Sequence, residues 1–195
     1  MKELKIKAYT VNELSQEARE KVLEKYHDIN IDNDWYQPIV EGFDEDMAEW
    51  GVEAKLRFSG FCSQGDGACF VTDTVDTDLL IRKLHEEFHA IPEDCLHYSK
   101  NLSVSVQKVH AAFANRYEHE NTITACVYND SEHIIQSTDC DALESVITAW
   151  ARRESLTVYR KLEKYYNELT EDIAVIETLE ENEYLFTENG NIIPA

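Results

Sequence analysis

Val52, Ala54, Leu56 and Phe58 alternate with Glu53, Lys55 and Arg57, a period of two that predicts a strand with one buried face. Leu4, Ile6 and Ala8 alternate with lysines and predict a short edge strand. Ala68–Thr72 predicts an antiparallel neighbour for the Val52 strand. Leu102, Val104 and Val106 predict another strand, as do Ile123, Ala125 and Val127. Elsewhere the period lengthens. Ala18, Val22 and Tyr26 recur every four residues behind Ser15, a good N-cap, with Glu17 and Lys21 as an i,i+4 pair on the wet side. Trp35, Ile39, Phe43, Met47 and Trp50 form the stripe of a second helix, capped by Asp34, with Pro38 in its first turn and Gly51 as its stop. A third helix is predicted from about Asp78 to His89, ending before Pro92. Asp139 opens a long helix carrying Leu143, Ile147, Trp150, Tyr159, Leu162, Tyr166 and Leu169, with Trp150, Tyr165 and Tyr166 read as core. Thr170 is expected to cap a last short helix. Asn189-Gly190, between Leu185–Thr187 and Ile192-Ile193, predicts a type I′ hairpin. The fold class expected is α+β: a central antiparallel sheet with helices packed mainly on one face, a long C-terminal helix and a short hairpin.

With three prolines and six glycines in 195 residues, no stretch has a linker's composition, and residues 1–195 read as a single domain. Charge changes the picture more. Eighteen basic against thirty-nine acidic residues leave a net charge of −21, spread along the chain. A surface of that sign repels phosphate backbones and anionic lipid, and speeds encounter with basic partners. Binding of nucleic acid through a basic surface is thereby excluded. Solubility alone accounts for such a charge; mimicry of nucleic acid in a basic cleft is the sharper reading. Met1–Lys5 lacks the apolar run of a signal peptide, and no apolar stretch approaches the roughly 20 residues that span a bilayer, so no membrane partner is expected. Cys62, Cys69, Cys95, Cys126 and Cys140 form no C-x-x-C pair and are odd in number, which fits free thiols in a reducing cytoplasm.

Ser59-Gly60-Phe61-Cys62-Ser63-Gln64-Gly65-Asp66-Gly67 stands between two strand ends and is the most distinctive stretch. Gly65 and Gly67 permit positive φ on both sides of Asp66, which would let backbone N–H groups converge into an anion-binding nest. The stretch has no Gly-Lys-Ser/Thr, and no helix follows it directly. Two readings stand: a binding loop using Ser59, Ser63, Gln64, Gly65, Asp66 and Gly67, or a turn in which Asp66 and Ser63 bond their own backbone.

The run Phe58-Ser59-Gly60-Phe61 through Ser63-Gln64-Gly65-Asp66-Gly67-Ala68, closed by Phe70, resembles the hallmark of a family of small tailed-bacteriophage proteins of uncharacterised role. Tyr117–Ile123, Glu183–Gly190 and the opening Glu13–Lys21 are similar to segments of the same family, in the same order. Where the resemblance leads one to expect an aromatic residue, this chain has Cys62. It implies a phage or mobile-element origin, hence a bacterial host cytoplasm, and no particular activity. Within it, Tyr117, His119 and Glu120 become candidates for polar support of the glycine loop. On a strand, only one of His119 and Glu120 would share the loop's face, and His119 opposite Asp66 would make a base or metal pair, or a hydrogen bond holding the loop.

His85-Glu86-Glu87-Phe88-His89 satisfies H-E-x-x-H, whose i,i+4 histidines on one helix face can hold zinc with the glutamate as base. Against this, Glu87 sits where zincins keep apolar residues, Leu80, Leu84 and Phe88 form an apolar stripe, and no third ligand is evident. No cofactor is expected, incidental zinc at His85 and His89 being the weak exception. The leading expectation is a non-enzymatic acidic phage accessory protein that binds and inhibits a basic host protein of a defence or DNA-processing system. The alternative is a nucleotide-like small molecule, sequestered or hydrolysed at the Ser63–Gly67 loop.

Overall fold

A computed structural model describes residues 7–109, 117–129 and 135–194. Leu4 and Ile6 of the expected first strand therefore lie outside the described residues. The chain divides into two compact units: Pro38–Leu162, and Met1–Gln37 together with Glu163–Ala195. The second of these joins the two ends of the sequence, which no local pattern announces.

Pro38–Leu162 holds the sheet. The strands β1 (Val52–Phe58), β2 (Ala68–Val75), β3 (Leu102–Lys108) and β4 (Ile123–Asn129) lie in the order β1-β2-β3-β4, all antiparallel. The register puts Leu56 opposite Phe70, and Arg57 opposite Cys69. Paired residues share a face, so Leu56 and Phe70 point to one side while Arg57 and Cys69 point to the other. A bulge between Glu53 and Lys55 shifts the register by one.

Helices cover the Phe70 side. Phe43 of α2 (Gln37–Glu49) and Trp150 of α5 (Ser137–Thr170) pack on Phe70 at ring separations of 5.6 and 5.8 Å, and Trp50 meets Trp150 at 5.3 Å. Leu80, Ile81 and Leu84 of α3 (Thr77–Phe88) are fully buried, as are Leu143 and Ile147 of α5. α2 ends as expected at Gly51, whose φ of +72° is one that side chains rarely adopt. It starts at Gln37, so Trp35 lies before it and packs its ring against Tyr165 and Tyr166. The short α4 (Glu93–His97) begins just after Pro92 and carries only Cys95 into the core, too little to leave a periodic signal.

In the other unit, α1 (Gln16–Tyr26) and α6 (Asp172–Glu181) enclose a core of Val11, Val22, Val175, Ile176, Leu179 and Phe186. Ser15 caps α1 through Ala18 N, as expected. Thr170 does not cap α6: its hydroxyl donates back to Tyr166 O at 2.9 Å, and Glu171 is the N-cap. The C-terminal turn is not type I′ either, since Gly190 has φ +78° while Asn189 is not left-handed. Only isolated bridges form there, Tyr9 with Phe186 and Phe186 with Ile192. Gly190 lies so close to helix α1 that a β-carbon would stand 2.8 Å from Ala18 O. Among the described residues no helix is long and apolar enough to cross a membrane.

Candidate functional site

The glycine loop joins β1 to β2 and folds over its own aspartate. One Asp66 carboxylate oxygen accepts from Cys62 N at 3.0 Å and from Ser63 N at 2.7 Å, while Asp66 N donates to Ser63 O. Two N–H groups do converge, but on the loop's own carboxylate, which is the arrangement of a self-bonded turn rather than of an open anion nest. Its backbone differs from the expectation: Gly60 is the left-handed glycine, at φ +125°, and Gly65 and Gly67 are not. Those two are required by close approach instead. A β-carbon on Gly65 would fall inside the Tyr117 ring, and one on Gly67 would stand 2.7 Å from His119 Cβ and 2.8 Å from its Cα. Gly65 O accepts from Glu118 N, and Ser59 N donates to Gly67 O, so the loop lies flat on the segment Tyr117–His119. Phe61 pins the loop from within, its ring 5.0 Å from Phe58 and 5.6 Å from Tyr159 of α5. Ser59, Ser63 and Gln64 remain exposed.

Beneath this contact lies a polar cluster the sequence did not reveal. Lys108, at the end of β3, has a side chain only 11% exposed; it donates to Glu118 Oε2 at 2.9 Å, to Thr122 Oγ1 at 2.8 Å and to the Tyr117 carbonyl. Arg57 Nη1 approaches the other Glu118 oxygen at 3.7 Å. The Cys69 thiol, fully buried, stands 3.4 Å from Glu118 Oε2 and 3.6 Å from Lys108 Nζ. Burial pushes this thiol's pKa up, and the Lys108 charge opposes the rise. Lys108 reads in sequence as an ordinary strand-end lysine and Glu118 as one of several acids. Only the pairing register and the turn of Tyr117–Thr122 bring them together.

The family model described as a domain of unknown function, DUF8835, matches residues 35–172. The chain belongs to this family. No curated protein and no solved structure matches it.

The remaining sequence candidates take different places in the DUF8835 chain. His119 and Glu120 are not on a strand: His119 caps a 3₁₀ turn of Glu120–Thr122, its Nδ1 accepting from Asn121 N at 3.2 Å. Glu120 accepts from the Asn121 amide at 2.7 Å. The Tyr117 ring, 40% exposed, stacks on His119 at 6.1 Å. His119 thus braces the loop through its backbone and ring. The second histidine of the H-E-x-x-H pattern lies just past the helix end. His89 follows α3 in a left-handed conformation, φ +52°, and its ring is 6.1 Å from that of His85. Glu87 is paired with Arg153, whose guanidinium lies 5.0 Å over the Phe88 ring. Among the described residues no group of three or more His, Cys, Asp or Glu is placed to hold a metal. A hollow of about 340 Å³ is lined by, among others, Lys55, Arg57, Val71, Asp73, Gln107 and Lys108, so an acid stands among its bases.

Proposed function

We propose that this DUF8835 protein is a phage or mobile-element accessory protein that binds, and thereby inhibits, a basic host protein in the bacterial cytoplasm, without catalysis. The observation that carries the reading is the solvent side of α2. Glu41, Asp44, Glu45, Asp46 and Glu49 are all exposed on a helix that contains no lysine or arginine. Asp46 has Lys161 at 2.8 Å, yet the crowd stays net negative. The Asp44 carboxyl is held above its ordinary pKa by partial burial and by repulsion from Glu41. A basic partner would relieve that repulsion on docking, and the field of a −21 chain would speed its approach. The phage origin rests on the resemblance of the glycine-loop motif, and displacement of DNA from a basic cleft is a special case of the same reading.

Co-purification from a bacterial host, read by native mass spectrometry, tests it. The full chain is expected to carry a host protein at low salt and to release it at high salt. Replacing Glu41, Glu45 and Glu49 together by glutamine should weaken the association at least about tenfold. Undiminished binding by that variant would sink the assignment to α2. For the alternative, a nucleotide-like ligand, the 340 Å³ hollow gives better support than the loop, whose N–H groups Asp66 already occupies. Loss of nucleotide binding in Arg57→Gln but not in Asp66→Ala would place such a ligand there.

A further inference from the structure

Lys108 is unusual in what surrounds it. A lysine amine so little exposed needs a carboxylate, and Glu118 supplies one at 2.9 Å. An ion pair alone would be served by any small apolar neighbour at position 69. Instead the chain places there a thiol whose S–H points to the same Glu118 oxygen, 3.4 Å away, with the amine nitrogen 3.6 Å from the sulfur. One carboxylate oxygen thus borders both groups and can take a proton from either. The other hydrogen-bonding group described at the sulfur is the Thr122 hydroxyl, at 3.8 Å. The nitrogen of Lys108 is therefore the nucleophile in range of this sulfur.

We propose that Cys69 and Lys108 form a modification site, joined by dioxygen through a covalent nitrogen–oxygen–sulfur bridge. The reaction is Lys–NH₂ + HS–Cys + O₂ → Lys–NH–O–S–Cys + H₂O. One N–H and the S–H bond break, and an N–O and an S–O bond form. Nitrogen and sulfur give up two electrons each, and dioxygen takes all four; one of its oxygens stays in the bridge and the other leaves as water. Glu118 accepts the extra proton of the ammonium beforehand, which yields the neutral amine the reaction needs, and gives it up to solvent once the bridge has formed. Once bridged, the nitrogen is only weakly basic, and Arg57 becomes the cation facing Glu118. The raised thiol pKa and full burial disfavour attack on bulky or charged electrophiles, and leave small, uncharged dioxygen as the oxidant suited to the site. The bridge would tie β2 to β3 directly under the glycine loop.

Intact-mass spectrometry of the full chain, purified in air without reductant, tests this. One oxygen gained and two hydrogens lost give about +14 Da, and dithiothreitol should return the original mass. After trypsin, the chain should remain uncut at Lys108 and be linked there to the peptide Phe58–Arg82, with fragmentation placing the link on Cys69 rather than Cys62. Cys69→Ser and Lys108→Arg, each checked for native circular dichroism, should both lose the shift. The wild-type measurement decides the matter even if a variant fails to fold. An unchanged mass, a gain of about 16 or 32 Da on Cys69 with normal cleavage at Lys108, or a loss of about 2 Da would each overturn the proposal.

Discussion

A β-carbon on Gly67 would meet the Cα of His119, which is backbone, whereas one on Gly65 would meet the Tyr117 ring, which is a side chain. The two glycines should therefore answer differently to rescue. Gly65→Ala is expected to cost about 1–3 kcal/mol in urea unfolding, and adding Tyr117→Ala should recover much of it by removing the ring. Gly67→Ala should cost at least as much and stay costly in that background. If both respond alike, the steric account is wrong. Asp66→Ala removes the acceptor for Cys62 N and Ser63 N in a part-exposed loop, so a loss of about 1–3 kcal/mol is expected by the same measurement. The thiols offer a further check. Cys62 is exposed, whereas Cys69 and Cys95 are buried, the Cys95 pKa being pushed to about 11 by burial. At pH 8 an aromatic disulfide reagent should label Cys62 first, and fast labelling of Cys95 would contradict the packing. At this scale the sequence showed that the loop was special but not why. Glycine is the natural choice both for positive φ and for close approach, and only a partner segment some fifty residues away, Tyr117–His119, tells the two apart.

The elements were more legible, because burial imposes a period that side chains must obey. Val52–Phe58 alternates for that reason, and the stripe of Leu80 and Leu84 marks α3. What periodicity cannot show is the work of polar side chains at element boundaries. The outer edge of β4 is closed by α5: Glu144 Oε1 accepts from Val127 N at 2.8 Å, and Thr148 Oγ1 accepts from Ala125 N at 2.9 Å. Arg152 Nη2 then donates to Ile123 O at 3.1 Å. These bonds occupy backbone groups that would otherwise template another strand. Thr148→Val keeps the shape of the side chain and orphans the Ala125 N–H; it should cost about 1–3 kcal/mol in denaturant unfolding, more than Thr157→Val on an exposed turn of the same helix. Equal costs would mean that the edge bond is dispensable. In sequence, Glu144, Thr148 and Arg152 read only as a wet helix face.

For the molecule as a whole, charge is the dominant fact. A chain at −21 repels itself, so moving from low salt to about 0.5 M sodium chloride should raise the melting temperature rather than lower it. Asp44 carries a local charge penalty, from partial burial first and from Glu41 second. Its folded pKa lies above the ordinary value of 3.8, so the charged form is disfavoured by folding. The penalty is present above the folded pKa and fades as pH falls through it toward 3.8 and below. Asp44→Asn should therefore stabilise the protein at pH 7, by no more than about 0.5 kcal/mol at so exposed a position, and the gain should vanish near pH 3. Urea midpoints at the two pH values would show whether the gain disappears on acidification. The acidic character was plain from composition alone, and the predicted second helix already carried the five carboxylates; that all of them are exposed needed the burial pattern of α2. The bonds between α5 and β4 carry a last consequence. Four helical residues advance about 6.0 Å while two strand residues advance about 6.8 Å, so the two scales slide past one another like a vernier. The short Thr148 sits at the coincidence, and the longer Glu144 and Arg152 reach out at either side to absorb the drift. A one-residue insertion between Glu144 and Arg152 would throw this gauge out of step, whereas one between Asn129 and Ser137 would leave its marks aligned.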